Sequence, residues 1–278
     1  MDRTASKVIV HIKPSKGWQL MRFREVIEYR DLIYFMTARD LKVRYKQTVL
    51  GSLWAIIQPF FSMIVFSLVL GKLAKIPSDG IAYPLFSFAA LIPWGYFSKA
   101  VGSSANSLVG NTSLLSKVYF PRFIIPLTPI LGGLVDLAFG FAALICMMAY
   151  FHVYPGITIV MVPLLILLMM LTANGVGMFL AALNAKYRDV NYASSFLLQL
   201  WMFISPVVYP TSIVPEKYRF IFMLNPLAGI IEGFRWALLG TISFPGEMLL
   251  CSIITSSIIF IIGLLYFKQM ERFFADII

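Results

Sequence analysis

Residues 157–185, ITIVMVPLLILLMMLTANGVGMFLAALNA, contain no Asp, Glu, Lys or Arg and show most directly what kind of fold the chain forms. At a rise of about 1.5 Å per residue, a helix of about 20 apolar residues crosses the roughly 30 Å hydrocarbon core of a bilayer. The stretch is longer than one crossing needs, so we expect it to tilt, bend near Pro163 or extend beyond the core. The sequence therefore predicts a membrane-spanning helix.

The rest of the chain repeats this pattern. Of 278 residues, 59% are apolar and 13% are charged, whereas a soluble domain is nearer half apolar and a quarter charged. Five further apolar runs are long enough to cross a bilayer, at residues 52–73, 83–100, 123–151, 192–210 and 248–267. The chain is therefore predicted to be an all-α integral membrane protein with six transmembrane helices, and an ordinary soluble domain is excluded.

Basic residues set the predicted orientation of the six spans. With the N-terminus inside, twelve Lys and Arg residues near span ends fall on the cytoplasmic side and five on the opposite side. Cytoplasmic loops carry the excess of Lys and Arg in most membrane proteins, so we expect both termini in the cytoplasm. Residues 1–50 hold 11 Lys/Arg against 5 Asp/Glu, an excess of six within a net charge of +10. We interpret this excess as the same signal, close to anionic lipid, rather than as nucleic-acid binding.

The residues before the first span divide into a cytoplasmic tail, 1–19, and a helical region, 20–51, that precedes the six-span domain, 52–278. The helical region is too charged to span a membrane. Val26, Tyr29, Ile33 and Met36 are spaced by 3, 4 and 3 residues, which places them on one helical face. We predict an amphipathic helix in the cytoplasmic interface; the spacing fits a simple anchor and a moving gate equally well.

The region at residues 211–247, between the fifth and sixth spans, is too apolar for a solvated loop. It contains apolar stretches at 220–224 and 227–239, separated by Asn225 and Pro226, and the second stretch carries Glu232 and Arg235 three residues apart. Neither stretch is long enough to span. We predict two short external helices that re-enter the outer leaflet or pack on top of the bundle, with Glu232 and Arg235 paired.

The residues expected of a membrane enzyme are missing from the sequence. It has no GxxxxGK[ST] phosphate loop, no HExxH motif and no paired carboxylates, and its two histidines, His11 and His152, are predicted at opposite ends. We therefore predict no catalytic residues and no metal site, and ATP hydrolysis would need a separate subunit. Asp136 is the one clear acidic residue within a span, and we interpret it as an interhelical hydrogen-bonding residue rather than a proton relay.

Four stretches, in order along the chain, resemble the transmembrane subunit of ABC-2-type exporters that move polysaccharides, the permeases for O-antigen, capsule and teichoic acid. They are RDLKVRYKQTVLGSLWAIIQP at 39–59, NTSLLSKVYFPRFIIPL at 111–127, YRDV at 187–190 with SP at 205–206, and NPL at 225–227 with Arg235. The resemblance implies two permease copies and two ATPase subunits that bind ATP and Mg²⁺. It also implies that residues 111–121 include a cytoplasmic coupling helix that inserts into the ATPase.

The resemblance assigns roles to particular residues. Lys117 and Arg122 are expected to meet acidic groups of the ATPase, and the whole predicted coupling site is Asn111, Leu114, Leu115, Lys117, Tyr119, Phe120, Pro121 and Arg122. A lipid-linked glycan is expected to arrive near the interface helix, where Arg39, Arg44 and Lys46 attract its pyrophosphate. The external helices, with Asn225, Pro226, Glu232 and Arg235, are expected to restrict the exit.

The run YKQTVLGSLWAIIQP at 45–59 is most similar to O-antigen permeases, so O-antigen is the first expectation for the substrate, in the inner membrane. Capsule or teichoic acid export is the near alternative, and an exporter of drugs or lipids of the same type is a second class. A membrane glycosyltransferase would need carboxylates at a membrane face, and a secondary transporter would show inverted repeats and midplane charges. The sequence shows neither feature.

Overall fold

The computed structural model describes residues 27–46, 51–117, 120–240, 243–271 and 274, and every regular element in those ranges is helical. Ten α-helices are described there: α1 (Arg30–Lys46), α2 (Trp54–Phe66), α3 (Tyr83–Gly110), α4 (Thr112–Lys117), α5 (Ile124–Tyr150), α6 (Val162–Lys186), α7 (Val190–Ile204), α8 (Glu216–Met223), α9 (Pro226–Leu239) and α10 (Gly246–Glu271). The predicted tail, 1–19, and the start of the region 20–51 lie outside the described residues.

Four segments are long and apolar enough to cross a membrane: Trp54–Leu73, Ile124–Tyr150, Ile157–Lys186 and Gly246–Glu271. The first joins α2 to a π-helical segment, Ser67–Leu73, and the third joins a 3₁₀ segment, Ile157–Met161, to α6. Pro163 lies in the first turn of α6, where its missing N–H removes no helical hydrogen bond. These four segments confirm the predicted runs at 52–73, 123–151, 157–185 and 248–267 to within about four residues.

The second predicted run, 83–100, is too short, because α3 continues to Gly110. Its last ten residues are small and partly polar, and their polar groups bond to neighbouring helices. The Ser104 hydroxyl donates to the Pro126 carbonyl at 2.8 Å, and the Asn184 amide of α6 donates to the Ala105 carbonyl at 3.0 Å. Hydropathy therefore falls along this part of α3 although half of its residues are buried, namely Val101, Ser104, Ala105, Ser107 and Leu108.

The fifth predicted run, 192–210, is too long at its end, because α7 stops at Ile204. Ser205 has an extended backbone, with φ −94° and ψ 151°, as expected for a residue before proline. Residues 205–210 therefore form a non-helical segment at the end of α7. Two carbonyls of that segment, those of Val207 and Tyr209, accept hydrogen bonds from Arg235.

The centre of the bundle is α3, which packs between α5 and α6, while α10 packs along α6. The contact between α6 and α10 depends on two glycines. A Cβ atom built on Gly175 would lie 2.6 Å from the Phe260 Cα atom, and one built on Gly263 would overlap the Gly175 carbonyl. The two backbones thus approach as closely as small-residue positions allow in membrane helices.

Helix α1 lies against α5, at the end of the bundle that contains Asn111. Ile33 and Met36, two members of its predicted apolar face, are buried. Tyr34 and Phe35 are 69% and 68% exposed, so α1 has apolar side chains on both its packed and its open side. The predicted helix is present, but a single apolar face does not describe it.

The region predicted to hold two short helices contains α8 and α9, separated by Leu224 and Asn225. Pro226 begins α9 and the Asn225 side chain accepts a hydrogen bond from the Leu227 amide at 3.1 Å, which is standard N-capping. Gly240 ends α9 with φ +68°, a conformation that favours glycine. Almost all of α9 is buried, so it packs into the bundle rather than lying loosely over it.

Candidate functional site

Two polar clusters lie near opposite ends of α3, one beside Asn111 and the other beside Arg235, which bonds to Phe86. At the Asn111 end, Arg39 of α1 donates to the Asn111 side-chain oxygen at 2.8 Å and to Asp40 at 2.8 and 3.0 Å. Asp40 also accepts a hydrogen bond from Thr128 of α5 at 3.3 Å. Arg39 therefore connects α1 directly to the segment that was predicted to couple with an ATPase.

A second connection joins the end of α1 to the middle of α5. Arg44 donates to Asp136 Oδ2 at 3.0 Å, and the Tyr45 hydroxyl donates to Asp136 Oδ1. Asp136 is only 10% exposed and Arg44 is 33% exposed, so the pair is partly shielded from solvent. Asp136 thus bonds between helices, as the sequence predicted.

Tyr45 remains protonated at physiological pH. Burial, followed by the hydrogen bond to Asp136 and the charge of that carboxylate, raises the pKa of Tyr45 to about 12, with Arg44 opposing the shift. The phenol is therefore a hydrogen-bond donor, and the carboxylate has a partner on each oxygen. Arg44 and Asp136 were each singled out in the sequence, but their pairing was not predicted, because the two residues are 92 positions apart; Tyr45 carried no signal in the sequence.

The predicted phosphate-attracting residues thus occupy different surroundings. Arg39 and Arg44 are both bonded to carboxylates, while Lys46 is exposed at the last residue of α1. The role that the resemblance gave these three residues stays a prediction.

The predicted coupling residues follow α3 directly. Asn111 immediately precedes α4: its carbonyl accepts hydrogen bonds from the amides of Leu114 and Leu115, which pack half-buried against the core. The side chain of Lys117 and all of Tyr119 lie outside the described part of the chain. The predicted coupling segment therefore contains a short helix, α4.

The end of the same segment turns inward. Phe120 is 5% exposed, and Pro121 is half-buried. The Arg122 guanidinium donates to the Glu271 carbonyl near the end of α10 at 2.6 Å and lies 6.0 Å from the Phe274 ring. A cation at a helix C-terminus is favourable, so Arg122 ties this segment to α10.

At the opposite end, Arg235 of α9 is fully buried. It donates to Glu232 at 3.2 Å and to the Val207 carbonyl at 2.8 Å, with longer contacts to the carbonyls of Phe86 and Tyr209. The guanidinium also lies 3.6 Å from the Phe86 ring centre. The predicted pairing of Glu232 with Arg235 is confirmed, and the pair is deep in the protein, since Glu232 is 2% and Arg235 is 0% exposed.

Asn225 connects the same elements through its other atoms. Its oxygen accepts the Trp201 indole N–H at 2.9 Å, and its amide donates to the Ser205 hydroxyl at 2.9 Å. Asn225 and Arg235 therefore both hold the non-helical segment after α7. The motifs Ser205–Pro206 and Asn225–Pro226, which are distant in sequence, form one polar cluster together with Arg235.

Comparison with known proteins identifies the class to which this arrangement belongs. The sequence model of the family described as ABC-2 type transporter matches residues 31–239. The chain belongs to the ABC-2 type transporter family.

Individual relatives cover most of the chain. It is 30% identical over 216 residues to the O-antigen export system permease protein RfbA of Myxococcus xanthus, which covers 76% of this chain and 82% of that protein. It is also 30% identical to an RfbA of Klebsiella pneumoniae, over 89% of this chain and 95% of that one. The polysialic acid transport protein KpsM of Escherichia coli is 24% identical over 84% and 91% of the two chains.

Proposed function

We propose that this protein is the transmembrane permease subunit of an ATP-driven exporter that moves a lipid-linked polysaccharide, with O-antigen as the first candidate, across the inner membrane. The observation that carries the proposal is the similarity to O-antigen permeases over 89% of the chain. Capsule export is the alternative supported by the weaker similarity to KpsM, followed by teichoic acid export. The subunit itself is not an enzyme, and ATP and Mg²⁺ bind to the partner ATPase.

The proposed topology has six spans and both termini in the cytoplasm. Helix α3 is 28 residues long, enough for about 42 Å, and α7 is a shorter apolar helix of 15 residues. Adding α3, and α7 together with the non-helical residues 205–210 that follow it, to the four long apolar segments gives six spans. In this topology α1 and α4 lie at the cytoplasmic side, while α8 and α9 form the external helices that restrict the exit.

The proposed assembly contains two permeases and two ATPases. Two copies enclose the channel, and ATP-driven closure of the ATPases moves the α4 segments, which separates the permeases and lets the polymer advance. The Arg39–Asn111 and Arg44–Asp136 contacts support this proposal, since they connect α4 and α5 to α1. A motion of α4 would therefore be transmitted to the interface helix.

The decisive experiment is purification of the chain from its native membranes, with mass spectrometry of associated proteins and an ATPase assay on the complex. We expect a stoichiometric P-loop ATPase. Export of polymer should cease in a strain that lacks the permease and return when it is restored. An active, folded permease with no such ATPase would contradict the proposal, and restored secretion of a drug or lipid without surface glycan would favour the second class of exporter.

The Lys117→Glu variant should weaken association with the ATPase about tenfold or more. In the proposed complex Lys117 meets acidic groups, and juxtaposed like charges are unfavourable at an interface. Quantitative co-purification at matched permease levels measures the effect. Lys75→Glu, in the exposed segment before α3, is the matched control and should leave association unchanged; equal losses in both variants would remove the coupling role.

Replacing Arg44 and Lys46 with Ala should lower glycan export about fivefold to tenfold without lowering assembly, because charged hydrogen bonds to the substrate phosphate are lost. Arg44→Ala also leaves Asp136 without its ion pair. The test therefore compares Arg44→Ala/Lys46→Ala with the same pair combined with Asp136→Asn, which removes the stranded charge. Surface glycan should be low in both variants, and normal export in either assembled variant would contradict the phosphate role.

A further inference from the structure

A cavity of about 190 Å³ lies between α2, α3 and α5. That is many times the 10–15 Å³ or so that one water molecule needs on a comparable measure. Part of its lining is aromatic and apolar and includes Trp94 and Tyr96. Its polar lining consists of Gln58, Ser62, Ser98, Lys99 and Asp136.

The cavity lies well inside the length of the helices. Lys99 is 11 residues before the end of α3 at Gly110, or about 16 Å along the helix, and Asp136 is 12 residues after the start of α5 at Ile124, or about 18 Å. The sequence had placed Lys99 beside the end of a span that finished at residue 100. Because α3 continues, Lys99 is instead an ionisable residue at depth.

Such residues in membrane helices face an interior path rather than lipid, because a charge in hydrocarbon is costly. Lys99 and Gln58 are both exposed on the described chain, and Ser62 is half-buried. Three polar side chains from α2 and α3 therefore border one opening. The arrangement favours a polar ligand.

The charges of the cavity do not cancel. Both oxygens of Asp136 have donors, Tyr45 on one and Arg44 on the other. Within the described ranges, Lys99 makes no hydrogen bond or ion pair. Counting Arg44, Asp136 and Lys99 gives a net charge of +1, carried by the Lys99 ammonium.

We propose that this cavity is the subsite for the phosphate linkage between the lipid and the glycan, with Lys99 as the residue that binds it. The proposal rests on the proposed function and specifies which residue holds the substrate. Lysine binds phosphate as a compact point charge. The hydroxyl of Ser62 and the amide of Gln58 add hydrogen-bond donors for the remaining oxygens. Arg44, which is paired with Asp136, lies beside this subsite and adds positive charge near it. Lys46 attracts the phosphate at the membrane surface.

The test uses the purified complex of permease and ATPase in detergent, with farnesyl pyrophosphate as the probe, and farnesol and inorganic pyrophosphate as comparison ligands. Binding is measured by calorimetry for the wild type, Lys99→Gln and Lys99→Arg. We expect Lys99→Gln to bind farnesyl pyrophosphate about tenfold or more weakly, because a charged hydrogen bond is lost. Lys99→Arg should retain most of the affinity, and farnesol should not distinguish the variants.

Lys75→Gln is the matched control, since it removes one exposed lysine outside the cavity. Competition by inorganic pyrophosphate in the wild type but not in Lys99→Gln would support recognition of the diphosphate group itself. Equal affinity of the wild type and Lys99→Gln for farnesyl pyrophosphate would overturn the subsite. An equal loss of affinity in Lys75→Gln would overturn it too, because the loss would then reflect the net charge of the protein rather than binding at Lys99.

Measurements of glycan export distinguish a failure of the Lys99 subsite from a failure of the proposed exporter function. If export depends on the permease while Lys99→Gln binds the probe and exports glycan normally, the exporter function stands and the subsite is wrong. If export does not depend on the permease at all, the proposed function fails, whatever Lys99 binds. A selective loss of export in Lys99→Gln, with assembly and recovery by Lys99→Arg, would support the subsite.

Discussion

The Arg235→Ala variant will lose about 3–5 kcal/mol of unfolding free energy, the cost of removing one partner from a buried ion pair. Glu232 would keep its charge at 2% exposure, and the Val207 carbonyl would lose its donor at 2.8 Å. A change of this size corresponds to a fall of about 10 °C in the midpoint of unfolding. Thermal unfolding of the detergent-solubilised permease, followed by size-exclusion chromatography, measures it.

Two further variants show which contacts of Arg235 matter. Arg235→Lys keeps the charge but has no planar fork for several acceptors, so its loss should be intermediate. Arg235→Met with Glu232→Leu removes both charges and should recover part of the stability, although the carbonyls after α7 still lack a donor. If Arg235→Ala unfolded at the wild-type temperature, the polar cluster would have no stabilising role.

The Gly263→Val variant will destabilise the protein by about 3 kcal/mol, at the upper end of the cost of overpacking. A side chain at Gly263 overlaps the Gly175 backbone, and a backbone cannot rotate away as a flexible side chain can. Helices α6 and α10 would have to separate along their whole contact. Unfolding temperature and the amount of permease in membranes measure the effect.

Gly102→Ala provides the control for this prediction. Nothing lies within 4 Å of a Cβ atom built there, and Ala is the better helix former by about 1 kcal/mol. Gly102→Ala should therefore be as stable as the wild type or slightly more stable. Similar losses in Gly102→Ala and Gly263→Val would show that glycine content, rather than the close contact of α6 and α10, determines stability.

Local patterns predicted most of the helices. The apolar runs that begin at residues 123 and 248 needed little adjustment, and Asn225–Pro226 marked the start of α9 because capping is a property of neighbouring residues. The boundary that was predicted wrongly for α3 shows the limit of local patterns. The end of α3 was missed because Ser104 and Ala105 satisfy polar groups on other helices, and a sum of hydropathies cannot include a partner that is distant in sequence.

In the candidate sites too, contacts between neighbouring residues were predictable from the sequence, whereas contacts between distant helices were not. The spacing of Glu232 and Arg235 predicted their pairing, since residues three apart on a helix are neighbours. The hydrogen bonds of Arg235 to the carbonyls of Phe86 and Val207 were not predictable from spacing, and neither was the position of Lys99 in a cavity with Asp136. Those relations depend on how α2, α3, α5 and α9 pack, which a single helix does not specify.

A helical membrane protein and its family resemblance can be recognised without coordinates, because hydrocarbon solvation and short motifs act over neighbouring residues. Which charges are neutralised depends on the packing of the helices. That packing pairs Arg44 with Asp136 across 92 positions, buries Arg235 among carbonyls, and leaves Lys99 without a partner in the described part of the chain. These pairings are not local because the energy of a charge depends on its surroundings in space, which are assembled only when distant segments pack together.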